Sequence, residues 1–513
     1  MSNNSQPKLQ NLPSLLPIFR LGKSVSLLLL LVQVQLAIGK KAVAQEITTP
    51  TPVEDTRNTS NKLCQANLKG AIETVINRPE FRYSRWGILI QTLSSGTTLY
   101  SHDAQHYFIP ASNVKLLTTA AALYQLGGEF RIRTSVYGIN TDSTTLRLVG
   151  RGDPSLTNNQ LEDLAQQLKR RGIHQVEQLI VQDGYFSEPT INPTWEWEDI
   201  VAYYGAPVNS LILKQNAASL TLSPQTLGQP LKITWADPIA ATQWQLDNNT
   251  ITSEAVSSSS VDVFGILGKP ILQIRGQMGV NAEPMQIAVA IFDPADYFLQ
   301  HFRTILNSTG ITVIQASVSS NSNTNNELEL AAIDSPSLGS LVAEINQQSN
   351  NIYAEALLRT LGVNEPIPDK STAEAGLQQV KAILTKLGVD PKSYVQADGS
   401  GLSRRNLVSP TALVQTLQAI AKTPVATLYR TSLPVAGVSG TLKNRFQNTS
   451  AEGIVQAKTG TMTGASSLSG YLDVPNYQPV VFSIIVNQSN ESVPTLRQAI
   501  DEIVLLLTRL HSC

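Results

Sequence analysis

The chain has 513 residues, 42% of them hydrophobic and 15% charged, with a formal net charge of −1. That length is too great for one typical domain of about 100–200 residues. Nothing in that near-neutral balance suggests a nucleic-acid partner. Residues 1–44 carry Lys8, Arg20, Lys23, Lys40 and Lys41 and no acid, with an apolar run from Val25 to Ile38 and then Ala42-Val43-Ala44-Gln45. The run is about 14 residues, short of the roughly 20 that a membrane span needs. It therefore reads as a secretory signal peptide with an A-x-A cleavage site, and implies an exported protein. Lys40-Lys41, between the run and the cleavage site, leaves an uncleaved signal and weak membrane association as the alternative. Residues 45–61 are rich in Thr, Pro, Asn and Ser and read as a disordered leader.

The next elements are a helix from Cys64 through Glu73, a hairpin (Trp86–Leu93 and Thr97–His102), and a helix from Lys115 to Leu126 closed by Gly127-Gly128. Residues 130–330 mix strands such as Leu146–Val149 with a helix near Leu161–Arg171. A β-rich piece at about 225–290 carries a Ser257–Ser260 loop, and Asn321–Asn326 reads as a surface loop. Beyond 330, two apolar stretches flank Ser349-Asn350-Asn351 as helices around a loop. Strands are expected at Gly453–Thr461, Gly464–Leu472 and Pro479–Val486, with a last helix from Pro494 to Leu510. The fold class is α+β: an antiparallel sheet flanked by helices, built from 62–129 plus 331–513. A large mixed α/β and β-rich insertion, 130–330, interrupts it.

Three short strings carry chemistry. In Ser112-Asn113-Val114-Lys115, the serine opens a helix and meets the positive end of its dipole. The lysine three residues on shares its face. A serine hydroxyl needs a neighbouring base, and a lysine serves only when neutral, which burial and nearby positive charge favour. In Ser349-Asn350-Asn351, a serine and an asparagine two apart can relay a proton and hold a substrate amide. In Lys458-Thr459-Gly460-Thr461, a strand bordering the site can pair with an extended peptide. Lys458 then meets a carboxylate, and Thr459 or Thr461 supplies a hydroxyl.

The ordered trio matches the S-x-x-K, S-x-N and K-T-G signature of the active-site-serine enzymes that penicillin acylates. The long gap between the first two strings resembles the type-4, low-molecular-mass penicillin-binding proteins, the D-alanyl-D-alanine carboxypeptidase/endopeptidase family. Further strings carry the same resemblance: Gly152-Asp153-Pro154-Ser155-Leu156, Tyr204-Gly205-Ala206-Pro207-Val208, Asp398-Gly399-Ser400-Gly401-Leu402-Ser403-Arg404 and Gly437-Val438-Ser439-Gly440-Thr441-Leu442. It spans roughly residues 64–510.

The resemblance implies a serine β-lactamase/DD-peptidase-like catalytic domain and a periplasmic enzyme acting on peptidoglycan stem peptides and cross-links. It implies acylation by β-lactam antibiotics and no cofactor or metal. Ser112, Lys115, Ser349, Asn351 and Lys458 are then catalytic, and Thr459, Gly460, Thr461 and Met462 line the substrate. The backbone N–H groups of Ser112 and Thr461 form the oxyanion hole. Arg404, Met462 and Trp195, from Trp195-Glu196-Trp197-Glu198-Asp199, form a side-chain pocket suited to an amine-bearing ligand such as diaminopimelate. In enzymes of this shape the first and last helices lie together, which implies a Cys64–Cys513 disulfide in the oxidising compartment.

Other chemistries have less support. His102 and His106 are four apart but lack an adjacent third ligand for zinc. No G-x-S-x-G elbow or Walker sequence occurs. A β-lactamase or esterase on the same fold, and a non-catalytic wall-binding scaffold, remain the alternatives.

Overall fold

The computed structural model describes residues 62–138, 145–254, 259–320 and 327–513. The signal segment, the leader, the Asn321–Asn326 loop and the first part of the Ser257–Ser260 loop lie outside the described residues. Among the described residues, no helix is long and apolar enough to cross a membrane.

A five-stranded antiparallel sheet positions the site. It contains β1 (Arg85–Thr92), β2 (Thr98–His102), β3 (Val455–Met462), β4 (Ala465–Leu472) and β5 (Val480–Asn487), in the spatial order β3-β4-β5-β1-β2. The central strand β5 is buried along its whole length because helices cover both faces, so its apolar run is unbroken. Side chains alternate across the sheet. Trp86, Ile88, Ile90, Phe482 and Ile484 face α1 (Gln65–Ile76) and the C-terminal helix Val493–Thr508. Leu89, Val481 and Ile485 face a second group of helices.

That second group surrounds α2 (Val114–Leu126), whose first ten residues are all buried. An α-helix enclosed on every side tolerates an apolar surface all round, which the sequence Leu-Leu-Thr-Thr-Ala-Ala-Ala-Leu supplies. It stops at Gly127, which takes a positive φ of 78°. Around it pack α3 (Leu338–Gln347), α4 (Asn351–Asn364) and α5 (Pro410–Ile420). The C-terminal helix, α6 (Val493–Thr508), is capped by Ser492, which accepts from the Thr495 N–H.

The insertion builds a five-stranded mixed sheet from residues 312–319, 175–182, 145–149, 133–138 and 328–334, in that spatial order. The helices Asn158–Arg170 and Pro294–Thr309 pack against it. Two three-stranded sheets follow, one from 217–223, 232–235 and 285–290, the other from 245–253, 260–266 and 269–279. They share a core of Leu220, Leu222, Trp244, Leu272 and Ile274.

The cysteines sit differently from the sequence reading. Cys64 is the N-cap of α1, which opens at Gln65, whereas Cys513 does not end a helix: α6 stops at Thr508. Leu63–Cys64 instead pairs in parallel with Leu510–His511. This short ribbon brings the Cα atoms of Cys64 and Cys513 to 5.7 Å, and a disulfide joins them across a sequence separation of 449. A crosslink over so long a loop restricts the unfolded chain strongly, and native disulfides are typically worth about 2–4 kcal/mol. Cys64→Ser combined with Cys513→Ser is expected to lower the unfolding free energy by that amount, read as a lower denaturant midpoint at unchanged slope. The acylation rate measured below the transition should be unchanged, since the ribbon is not part of the catalytic cleft.

Candidate active site

Ser112 does not lie in α2 itself but in a one-turn 3-10 segment, Ala111–Asn113, that precedes it. Ala111 holds φ +48°, a left-handed conformation that a residue with a Cβ adopts only under constraint. The constraints are visible on both sides. Asn113 donates to Ser469 Oγ at 2.9 Å, and Ser467 Oγ donates to the Pro110 carbonyl at 2.8 Å. Asn487 brackets Ile109, accepting from its N–H at 2.7 Å and donating to its carbonyl at 3.0 Å. Strands β4 and β5 therefore fix the turn that presents the serine.

One helical turn on, Lys115 is completely buried, with 0% exposure. Its Nζ reaches Ser112 Oγ at 3.1 Å, Asn351 Oδ1 at 2.6 Å and the Ser400 carbonyl at 2.6 Å. Burial pulls the ammonium down to about 7, against the opposing fields of Asp398 and Glu355. Lysine thereby comes within range of a neutral base near physiological pH.

Across the cleft stands a second serine–lysine pair. Ser349, at φ +58°, lies in the connection between α3 and α4 and accepts from Lys458 Nζ at 2.9 Å. Lys458 is likewise fully buried and also donates to the Thr459 carbonyl at 2.9 Å. Burial first, then the charge of Lys115, hold it well below the ordinary lysine range. Asn351 opens α4 and faces both ways: its oxygen accepts from Lys115, and its Nδ2 donates to the Tyr204 carbonyl at 2.9 Å. The three motif strings thus converge on one cleft.

Strand β3 is one of the two edge strands of the sheet. Thr459 donates to Thr441 Oγ1 at 2.8 Å, and Thr461 Oγ1 accepts from Arg497 on α6 at 3.1 Å. Gly460 lies against the turn that carries Ser112, close to the Ser112 nitrogen, and Met462 is half-buried at the strand end. Arg404 bridges two elements, pairing with Glu196 at 3.1 Å and donating to the Thr463 carbonyl at 3.0 Å. Trp195 is 9% exposed and turned beneath the Asp398–Ser403 loop, where its indole N–H donates to Asp398 at 3.0 Å.

Several residues in this network carry no signal in the three motif strings. Asp398 accepts from the N–H groups of Gly401 and Ser403 as well as from Trp195, and so folds the loop over Lys115. Glu355 accepts from the N–H groups of Gly399 and Ser400 at 2.9 and 2.8 Å, and the Ser400 carbonyl in turn holds Lys115. Burial, and then Asp398, push the Glu355 carboxyl upward. Its spacing of four from Asn351 on α4 was the available clue, since such residues share a helix face. Glu355→Gln keeps an acceptor for both N–H groups but removes the negative charge that raises Lys115. The rising limb of acylation against pH is therefore expected to move to lower pH, as stopped-flow acylation across pH 5–9 would show.

A buried lysine on a serine presented by a strained turn, faced by a second serine–lysine pair beside a sheet edge, defines an active-site-serine enzyme of the penicillin-interactive class. The D-Ala-D-Ala carboxypeptidase 3 (S13) family model matches residues 68–508. The chain is 32% identical over 448 residues to a D-alanyl-D-alanine carboxypeptidase of Actinomadura sp. (strain R39), covering 83% of this chain and 82% of that one. It is also 32% identical over 467 residues to penicillin-sensitive carboxypeptidase A of Dictyostelium discoideum, covering 83% and 87%. Among solved structures, penicillin binding protein 4 of Haemophilus influenzae superposes with a TM-score of 0.75 at 23% identity, over 85% of this chain and 97% of that one. The chain belongs to the D-Ala-D-Ala carboxypeptidase 3 (S13) family.

Proposed function

We propose that this chain is a serine-type D-alanyl-D-alanine carboxypeptidase/endopeptidase acting on peptidoglycan stem peptides and cross-links through an acyl-serine at Ser112. The observation that carries the reading is the 3.1 Å contact between Lys115 Nζ, buried and shifted toward neutrality, and Ser112 Oγ. Family membership supports the same substrate class.

In the proposed sequence, neutral Lys115 takes the Ser112 proton as Oγ attacks the carbonyl of the penultimate D-alanine. The backbone N–H groups of Ser112 and Thr461 hold the oxyanion, each such donor contributing about 3–4 kcal/mol. Collapse breaks the C–N bond, and the leaving amine receives a proton through Ser349, which Lys458 contacts directly. Water then attacks the ester and regenerates Ser112. The uncovered part of edge strand β3 pairs with the extended peptide, and Lys458 with Thr459 attracts its terminal carboxylate. Arg404 and Met462 flank the stem-peptide side chain. Trp195 contributes from below, by holding through Asp398 the loop that carries Arg404. β-Lactams acylate the same serine because they present a comparable amide. The signal segment supports export to the periplasm, where this substrate is found.

Intact-mass spectrometry after incubation with penicillin, followed by peptide mapping, tests the reading. A stoichiometric adduct on the Ser112 peptide, with release of D-alanine from pentapeptide or cleavage of cross-linked muropeptides, is the expected result. Rapid β-lactam turnover without a lasting adduct would make the chain a β-lactamase. Muropeptide binding with neither adduct nor turnover would make it a scaffold.

A further inference from the structure

The insertion contains a strained turn that the mechanism above does not use. Lys214, Gln215 and Asn216 take φ values of 49°, 60° and 49°, three successive left-handed residues with none of them glycine. Side chains with a Cβ disfavour that conformation, and it persists only where the surroundings over-determine it. Here they do. Lys214 Nζ is bound at 2.8 Å to Asp237, whose same oxygen also accepts from Tyr297 at 2.6 Å and contacts His301 Nε2 at 3.0 Å. Asn216 is fully buried and donates to the Pro207 carbonyl at 2.9 Å and Asn209 Oδ1 at 3.0 Å. Its own Oδ1 accepts from the Leu213 N–H at 3.1 Å, and its carbonyl from the Ile291 N–H at 2.8 Å.

With both neighbours anchored in the insertion, the Gln215 side chain reaches the other way. Its Oε1 accepts from Asn350 Nδ2 at 3.0 Å. Asn350 is the middle residue of Ser349-Asn350-Asn351, is 4% exposed, and caps α4 through the Tyr353 N–H. Its second acceptor is Glu344 on α3, at 3.3 Å. Ser349 beside it is itself left-handed, so its Oγ direction toward Lys458 depends on how this connection is held.

We infer that Gln215 is a positioning residue for the proton-relay serine: the insertion's strained turn holds Asn350, and through it the orientation of Ser349 and Asn351. The insertion is then part of the catalytic apparatus. The Tyr204 carbonyl, which accepts from Asn351, makes a second contact of the same kind from the same insertion. This inference rests on the acyl-serine reading given above.

The test is the rate constant for acylation at saturating penicillin, with thermal midpoints, for wild type, Gln215→Ala, Gln215→Met, Asn350→Ala and the Gln215→Ala/Asn350→Ala pair. A wild-type adduct on Ser112 tests the acyl-serine reading separately, and the variant-to-wild-type ratios test this one. Gln215→Ala and Gln215→Met are expected to lose about tenfold in rate with the penicillin binding constant little changed. The double variant should be no slower than the slower single, because residues acting through one contact are non-additive. Rates within twofold of wild type at a lowered midpoint would reduce Gln215 to a structural residue. Restoration by Met, or a double variant equal to the product of the singles, would equally overturn the proposal.

Discussion

Lys115→Met slows acylation of Ser112 by penicillin by about 10²–10⁴-fold, the range that a positioned general base contributes, while Ser112→Ala gives no adduct at all. The geometry leaves Lys115 as the nearest candidate base among the described contacts. Its Nζ lies at hydrogen-bond distance from Ser112 Oγ, whereas Lys458 is engaged with Ser349 and the Thr459 carbonyl. Methionine keeps the length and apolar stem of the buried side chain but cannot take a proton. The pH dependence follows from the shifted lysine. Burial brings Lys115 to about 7, so the neutral form is scarce below that value and predominates above it. Wild-type acylation is therefore expected to rise with pH through a midpoint near 7, and that limb should disappear in Lys115→Met. Stopped-flow acylation across pH 5–9 with both proteins checks this. A limb retained in the variant would assign the base elsewhere, with Lys458 the next candidate. The charge of Lys115 also disfavours that of Lys458, so removing Lys115 releases part of the depression on Lys458.

The geometry of the candidate site was legible in the sequence where it depends on local spacing. Ser112 and Lys115 are three apart, and a helix start places such residues together without help from the rest of the fold. The strands around Lys458, each bounded by Gly, Pro or Asn, and the polar triplet between two apolar stretches were readable from local sequence as well. The 3-10 turn was not, because Ala111 adopts a left-handed φ only under contacts from residues more than 350 positions away, Ser467 and Asn113's partner Ser469. The roles of Glu355 and Asp398 in holding Lys115 were not readable, for a related reason. A carboxylate in sequence is most often a solvated surface charge, and only the tertiary fold reveals that these two are buried and bonded to backbone N–H groups. The ends of the chain show a mixed case. Pairing of the two cysteines followed from the expected adjacency of the terminal helices, yet the element that joins them is a parallel ribbon of two residues on each side, too short to leave a periodic signature.

Gly460→Ala should cost about 10²-fold in acylation, the penalty associated with displacing reacting groups by around 1 Å, although only a methyl group is added. The residue belongs to K-T-G, yet nothing in its own conformation requires glycine: it is an ordinary strand position paired with Ser467. The requirement comes from what lies above it. A Cβ at this position would stand 2.2 Å from Ser467 Oγ, 2.5 Å from the Pro110 carbonyl oxygen and 3.2 Å from the Ser112 nitrogen. The serine hydroxyl can rotate away, but the Pro110 carbonyl is backbone and is already held by Ser467. Relief therefore requires β3 and the nucleophile turn to separate, and these two elements carry the proposed oxyanion donors. The expected signature is a fall in the acylation rate constant with the pH midpoint unmoved, because Lys115 keeps its burial and its partners on α4 and the Asp398–Ser403 loop. Gly401 presses on the other side of the same turn, where a Cβ would meet the Ala111 carbonyl at 2.0 Å. The nucleophile turn is thus clamped between two glycines from distant parts of the chain. A Gly460→Ala protein that acylates at the wild-type rate would show that the turn can shift without loss, and that the clamp is not what aligns Ser112 with its oxyanion donors.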